Sequence, residues 1–297
     1  MKKLMVFAMA AMVALASCSK TELVDNSAPT PISFKAVTGS VTKGGAVTPN
    51  DDFDYTLGVI AYNNTDRSEY FENAEFTKKT GTVTYWDGGK YWPIMSSLDF
   101  IVYSPYQEND VDAINQVVNQ VDTKTLSVTI ADNSSTQTDY MYGSAYITNK
   151  NKESGDISVT LKHALSLINI EFEYDDQIIT IESATLNNTI HQGTYTVTYG
   201  QQTSVNWSGL GNAVQTLPLD DETSYMVIPG RSTSITINYS IKGMTGNALS
   251  HTINLNETWV AGTQYTYTIN ISANAIKFTP EVGEWTTGST TTDTTIE

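Results

Sequence analysis

The chain has 297 residues, 40% of them hydrophobic, which is enough for one large domain or two of ordinary size. Its formal net charge is −16, and so acidic a surface argues against nucleic acid and anionic lipid headgroups as partners. The single cysteine, Cys18, excludes an internal disulfide and a thiolate metal cluster.

The first element in chain order is a leader. Lys2 and Lys3 precede an apolar run from Leu4 to about Ala16, too short to span a bilayer comfortably. The run ends in Leu15-Ala16-Ser17-Cys18, which resembles the lipobox of bacterial lipoproteins. That resemblance implies a signal peptide over 1–17 and a lipid on Cys18. The alternative is an ordinary signal peptide with an unrelated cysteine nearby. Loss of Lys2 and Lys3 with the leader takes the net charge to −18. Residues 18–30, with Asn26, Ser27 and Pro29, read as a polar tether between lipid and fold.

From there the texture is β almost throughout. Ile32, Phe34 and Ala36 alternate with Ser33, Lys35 and Val37 and predict a short strand. Thr38 to Asn50 reads as a Gly/Thr-rich loop, and Asn63 to Ser68 as a turn. Strands are expected at Thr56–Tyr62, Thr80–Trp86, Leu98–Tyr103 and Thr125–Ile130, with Asp87-Gly88-Gly89 as a hairpin turn. Asp110 to Val121 reads as a loop or one helical turn. A second block of strands follows: Ile157–Leu161, Leu165–Tyr174, Ile178–Leu186, Gly193–Tyr199, Thr223–Ile228, Ser234–Ile241, Gln264–Ile271 and Ala275–Phe278. Many short strands split by turn signals predict an all-β chain of two tandem β-sandwich domains, over 31–155 and 156–285, with a Thr-rich tail over 286–297.

Enzyme signatures are absent. His163, His191 and His251 lie far apart in sequence, and no phosphate loop, His-Glu-x-x-His or Gly-x-Ser-x-Gly occurs. Carboxylates cluster at Asp51-Asp52-Phe53-Asp54 and Asp220-Asp221-Glu222, where solvated turns or weak Ca²⁺ loops are the two readings; no cofactor and no resident metal is expected. Trp86 and Trp92, flanked by Tyr85 and Tyr91, either stack on sugar rings or cap a sandwich.

Several stretches together resemble the fimbrillin-like proteins of Bacteroides-type bacteria, the type V pilin superfamily. They are Ile32-Ser33-Phe34-Lys35-Ala36, Tyr91-Trp92-Pro93, Leu98-Asp99-Phe100 running into Tyr103-Ser104-Pro105, Asp139-Tyr140-Met141-Tyr142-Gly143, Leu161-Lys162-His163-Ala164-Leu165-Ser166 and Gly262-Thr263-Gln264-Tyr265-Thr266-Tyr267. The resemblance implies two transthyretin-like sandwiches and export as a lipoprotein to the outer membrane. It also implies a structural fimbrial subunit (stalk, tip or anchor) that polymerises with other pilin subunits and adheres to host or bacterial surfaces. A trypsin-like, often Arg-specific, cut after the first strand would remove it, with Ile32, Phe34 and Ala36 as its plugs, and a C-terminal strand of another subunit would fill the groove. Donor candidates are Tyr265–Ile271 and Ala275–Val282. The chain has only two arginines, Arg67 and Arg231, and neither follows that first strand, so the expected cut lies between Lys43 and Gly44. The alternative function is a non-polymerising, glycan-binding surface lipoprotein that uses Trp86 and Trp92.

Overall fold

Strong period-two alternation of β-branched and aromatic residues produces a chain of twenty strands and two short 3₁₀ turns among the described residues. The structure, a computed structural model, describes residues 28–38, 55–108, 116–117, 121–131, 134–190, 192–199, 203–210, 214–218, 224–230, 234–244, 246, 248–272 and 276–285. In chain order the strands are β1 Pro31–Thr38, β2 Leu57–Asn63, β3 Glu69–Lys79, β4 Tyr85–Tyr91, β5 Leu98–Ser104, β6 Gln116–Val117 and β7 Val121–Thr129. Next come β8 Met141–Gly143, β9 Ile147–Lys150, β10 Ile157–His163, β11 Ser166–Tyr174, β12 Ile179–Ile190, β13 Gln192–Tyr199 and β14 Ser204–Ser208. The last six are β15 Val214–Pro218, β16 Ser224–Val227, β17 Ser234–Ile241, β18 Leu249–Asn254, β19 Thr263–Ile271 and β20 Ile276–Glu284. Among the described residues no helix is long and apolar enough to cross a membrane.

The largest sheet runs β2-β3-β4-β1-β10-β8-β5-β9, and β2 also pairs with β5. The first seven strands therefore close into a ring, with β9 attached outside β5. Closure leaves no free edge in the ring. Its interior is an apolar cluster built on Ile32, Phe34, Phe76, Trp86, Phe100 and Leu161. Two four-stranded sheets, β16-β11-β19-β20 and β15-β12-β17-β18, enclose a second cluster that includes Ile168, Leu186, Ile235 and Tyr267. A third four-stranded sheet, β14-β13-β7-β6, lies over the outside of β2 and β5.

That cover explains why β2 and β5 are buried almost without alternation. Successive side chains point to opposite faces, so each strand serves two cores. Leu57, Val59 and Ala61 enter the ring, while Ile60 and Tyr62 meet Leu126, Val128, Tyr195 and Val197 outside it. Phe100 and Val102 of β5 divide from Ile101 and Tyr103 in the same way. Gly58 is required where it pairs with Tyr103, because a Cβ there would stand 2.1 Å from the Tyr103 ring. Lys124 of β7 is buried with its ammonium 5.1 Å from the centre of that ring.

Three expectations are corrected. Asp87-Gly88-Gly89 is not a hairpin turn but the middle of β4. Gly88 is needed there because a Cβ would meet Phe76 at 2.6 Å. The strand expected at Thr80–Trp86 is displaced, since residues 80–84 form the connection between β3 and β4. β3 itself escapes a period-two reading because a bulge shifts its parity. Phe71 pairs with Ala61 and Ala74 with Val59, with Asn73 at φ 29° between them. Within Asp110–Val121 the described residues 116–117 pair with β7 as a strand rather than a helical turn. Two ladders join strands on either side of residue 155. β10 lies beyond it and pairs with β1, whereas β7 lies before it and pairs with β13.

Many of the tyrosines sit inside these clusters, which sets an alkaline limit. Burial pushes the phenols of Tyr140, Tyr142, Tyr199 and Tyr267 above their ordinary 10.0. The unfolded chain releases those protons first, so stability falls as pH rises past 10.0. Phenolate absorbance is expected to rise cooperatively for the buried rings Tyr140, Tyr142, Tyr199 and Tyr267, together with loss of the β-sheet circular dichroism, after any gradual phase from exposed rings. A single gradual phase would contradict this burial.

Candidate functional site

The alternation of β1 makes it a two-faced wedge. Ile32, Phe34 and Ala36 are wholly buried in the ring, as their spacing predicts. The Phe34 ring meets Phe76 at 5.2 Å and Phe100 at 5.5 Å, both edge to face. β1 runs parallel to β10 from Phe34↔Ile157 to Thr38↔Leu161, and antiparallel to β4 from Pro31↔Tyr91 to Phe34↔Trp86. It is thus one stave of a closed ring, held on both flanks. Taking it out would leave a trough lined by Phe76, Trp86 and Phe100, with the edges of β4 and β10 facing each other.

The outer face of β1 is fastened at one point. Ser33 Oγ donates to Asp156 Oδ1, and Lys35 Nζ lies 2.8 Å from Asp156 Oδ2. Hydrogen bonding to Lys35 and then to Ser33 holds the Asp156 carboxyl below its ordinary value. A depressed carboxyl adds stability above its unfolded value of 3.8 and loses it as pH falls through the folded value. The groups are a third exposed, so Asp156→Asn is expected to cost no more than about 1 kcal/mol at neutral pH. Urea denaturation should show that difference vanishing in strong acid; an unchanged difference there would mean that the clamp is not ionic.

The two tryptophans do not form a sugar platform. Trp86 is fully buried and donates from Nε1 to the Tyr55 carbonyl at 2.9 Å; Trp92 is 7% exposed and lies edge-on to Phe100 at 5.8 Å. Neither ring offers a face to a ligand, because both complete the ring interior. Exposed aromatic surface nearby comes instead from Tyr70, Tyr85 and Tyr91. Cys18, Lys43, Gly44, Arg231, His191 and both acidic clusters lie outside the described residues. Arg67 is engaged: its Nη1 donates to buried Asp99 at 2.6 Å, and its guanidinium lies 5.1 Å from the Tyr146 ring centre. Among the described residues, no three His, Cys, Asp or Glu side chains gather to hold a metal ion.

At the other end of the chain, β20 pairs among the described residues only with β19, antiparallel from Thr263↔Glu284 to Ile271↔Ile276. It is an edge strand, with Lys277, Thr279, Pro280 and Val282 exposed. β19, by contrast, lies between β11 and β20 and buries Tyr265, Tyr267, Ile269 and Ile271. Trp285, directly after β20, lies flat on the His163 ring at 3.8 Å and 8°. His163 ends β10 and places Nδ1 2.7 Å from Asp139 Oδ2. Its position on a strand suggests a half-buried ring, but Trp285 covers it and it is only 4% exposed. Burial, opposed by His163, raises the Asp139 carboxyl above its ordinary value. A cleft of about 280 Å³ opens beside this stack, lined in part by Tyr142, Lys162, Thr263 and Glu284. Sequence reading missed the Asp139–His163–Trp285 node, since the three are 24 and 122 residues apart and share no motif.

Comparison with known proteins places this geometry. The sequence model of a family described as Fimbrillin-like matches residues 42–285. No curated protein matches the chain. A crystal structure provisionally described as a cell adhesion protein from Bacteroides uniformis superposes with TM-score 0.60 at 21% identity, covering 86% of this chain and 100% of that one. One similarly described from Bacteroides ovatus gives TM-score 0.54 at 12% identity, covering 89% and 100%. The tip fimbrial protein Mfa3 from Porphyromonas gingivalis, with C-terminal truncation, gives TM-score 0.43 at 10% identity, covering 78% and 94%.

Proposed function

Because the chain belongs to the fimbrillin-like family, we propose that it is a structural subunit of a cell-surface fimbria, assembled by strand donation between subunits. In this reading Cys18 carries a lipid that brings the precursor to the outer membrane. A protease then cuts after Lys43, and β1 leaves. The observation that carries the reading is the position of β1: it is the first strand among the described residues, it completes a closed ring, and Ile32, Phe34 and Ala36 are fully buried there. Being first, it can be released by one backbone cut. The trough it leaves exposes apolar side chains and two rows of unpaired backbone groups, and a donated strand satisfies both.

The glycan-binding alternative rested on Trp86 and Trp92, and their burial removes its support. N-terminal sequencing of the protein from surface fibres is the test. The expected mature N-terminus is Gly44, in material that runs as a ladder of polymers in mild denaturant. Assembled protein that begins at Cys18 throughout would overturn the cut, and monomer alone at all concentrations would overturn the fimbrial role.

A further inference from the structure

The ring has two ends, and the chain enters it at one of them. β1 starts with Pro31 opposite Tyr91 at the end of β4, and Asn63 at the end of β2 pairs with Leu98 at the start of β5. β10 runs parallel to β1 and passes at the other end through Ala164 and Leu165 into β11. At the entry end the connection 92–97 leaves an apolar tip in the open. Trp92 and Leu98 on either side of it are buried, yet Ile94 and Met95 are 61% and 86% exposed. The base of the connection is fixed. Trp92 N–H donates to the Thr30 carbonyl at 2.9 Å, Asn64 N–H to the Ser97 carbonyl at 2.9 Å, and Ser96 Oγ to Asn63 Oδ1 at 3.3 Å. Exposed Tyr91 and Tyr70 stand beside the tip, with the Tyr70 hydroxyl donating to the Tyr91 carbonyl at 3.0 Å.

We infer that this end of the ring is a membrane-contact face: Ile94 and Met95 enter the interface of a bilayer, with Tyr70 and Tyr91 at the level of the headgroups. This rests on the reading of Cys18 as lipid-bearing and adds to it a second attachment, made by the folded protein itself. The tether identifies the occupant. Residues 28–30 are exposed and leave the ring beside Trp92. The stretch Ser19 to Ala28 is all that separates Cys18 from them. Fully extended it reaches about 36 Å, and a flexible chain of that length averages about half as much. An acyl group on Cys18 therefore holds this end, and not the end that leads to β11, at the bilayer surface. Charge agrees. In an acidic chain, the runs 27–34 and 91–98 that meet here hold no charged residue. The neighbouring connections 64–68 and 151–156 carry both signs, as in Asp66 with Arg67 and Lys152 with Glu153. Such a face suits zwitterionic headgroups, whereas the net charge of the whole chain opposes an anionic surface.

Fluorescence quenching of the full chain, purified from cell membranes and reconstituted in phosphatidylcholine vesicles, tests the contact. A thioether-linked lipid on Cys18 leaves an introduced cysteine as the one thiol open to an environment-sensitive label. Labelled Met95→Cys is expected to shift its emission to the blue and to lose most of it when nitroxide-bearing phosphatidylcholine is included. Labelled Met244→Cys, 61% exposed in the connection after β17, is expected to change in neither respect. Ile94→Asp added to Met95→Cys is expected to abolish the quenching while the protein stays on the vesicles through its lipid. Quenching at neither position, or equally at both, would overturn the inference and leave the lipid reading intact. Quenching that persists with Ile94→Asp would reduce the contact to passive closeness and overturn it too. A blue shift without nitroxide quenching would mean that a second copy, not lipid, covers the tip. If the unsubstituted chain takes the label at Cys18 and fails to float with vesicles, the lipid reading falls and takes this inference with it.

Discussion

Phe34→Ala is expected to destabilise the precursor by about 3–5 kcal/mol, a large share of the roughly 5–15 kcal/mol that holds a typical domain. The ring of Phe34 is fully buried and packs edge-on against Phe76 of β3 and Phe100 of β5, across the ring interior. Removing it leaves a void that cannot collapse, because the closed ladder keeps the walls apart. Equilibrium urea denaturation measures the effect, and the midpoint should fall with little change in slope. Lys35→Ala on the outer face is the control, with an expected loss below about 1 kcal/mol. Under the strand-donation proposal the functional consequence runs in the same direction: a weakened β1 leaves its slot more readily, and protein cut after Lys43 is expected to polymerise sooner. A Phe34→Ala loss no larger than that of Lys35→Ala would mean that β1 is not an integral stave.

Asp139→Ala is expected to cost about as much, some 3–5 kcal/mol, for a different reason. It removes the carboxylate that meets His163 Nδ1, in a site where Nε2 has no hydrogen-bond partner among the described residues. Asp139→Asn retains an acceptor opposite Nδ1 and should recover most of the loss. The two variants therefore separate a missing hydrogen bond from a missing charge. The wild-type carboxyl also carries a pH signature. Because burial raises it above 3.8, the folded chain holds that proton longer than the unfolded chain. Stability relative to the Asn variant therefore declines as pH rises from 3.8 through the folded value. Thermal unfolding of the three proteins across pH 4–7 checks both points, and equal losses for Ala and Asn would place the cost in packing rather than in the pair.

Where side chains alternate on a strand with one wet face, the sequence can be read directly. β1, β13 and β17 follow from Ile32-Phe34-Ala36, Tyr195-Val197-Tyr199 and Ile235-Ile237. Legibility failed where a second influence overrode the period. In β3 the bulge at Asn73 moved Phe71 and Ala74 out of phase. In β4 a Gly-Gly pair that normally marks a turn serves the close approach of Phe76. β8, β9 and β18 are short or polar on both faces and exist because a neighbour offers a ladder. The candidate site was legible in part for the same reason. The plugs of β1 announced themselves by spacing. The ring they complete depends on β10 and β4, whose residues paired with Phe34, Ile157 and Trp86, lie 123 and 52 residues away in pairings no local pattern encodes.

The ring also decides how the molecule bears load. β1 lies along two ladders, and its axis runs parallel to both. A pull along that axis strains the hydrogen bonds of the two flanks together, in shear. A sideways pull would peel them one after another. The slot therefore holds β1 far better against a pull along its length than against one across it.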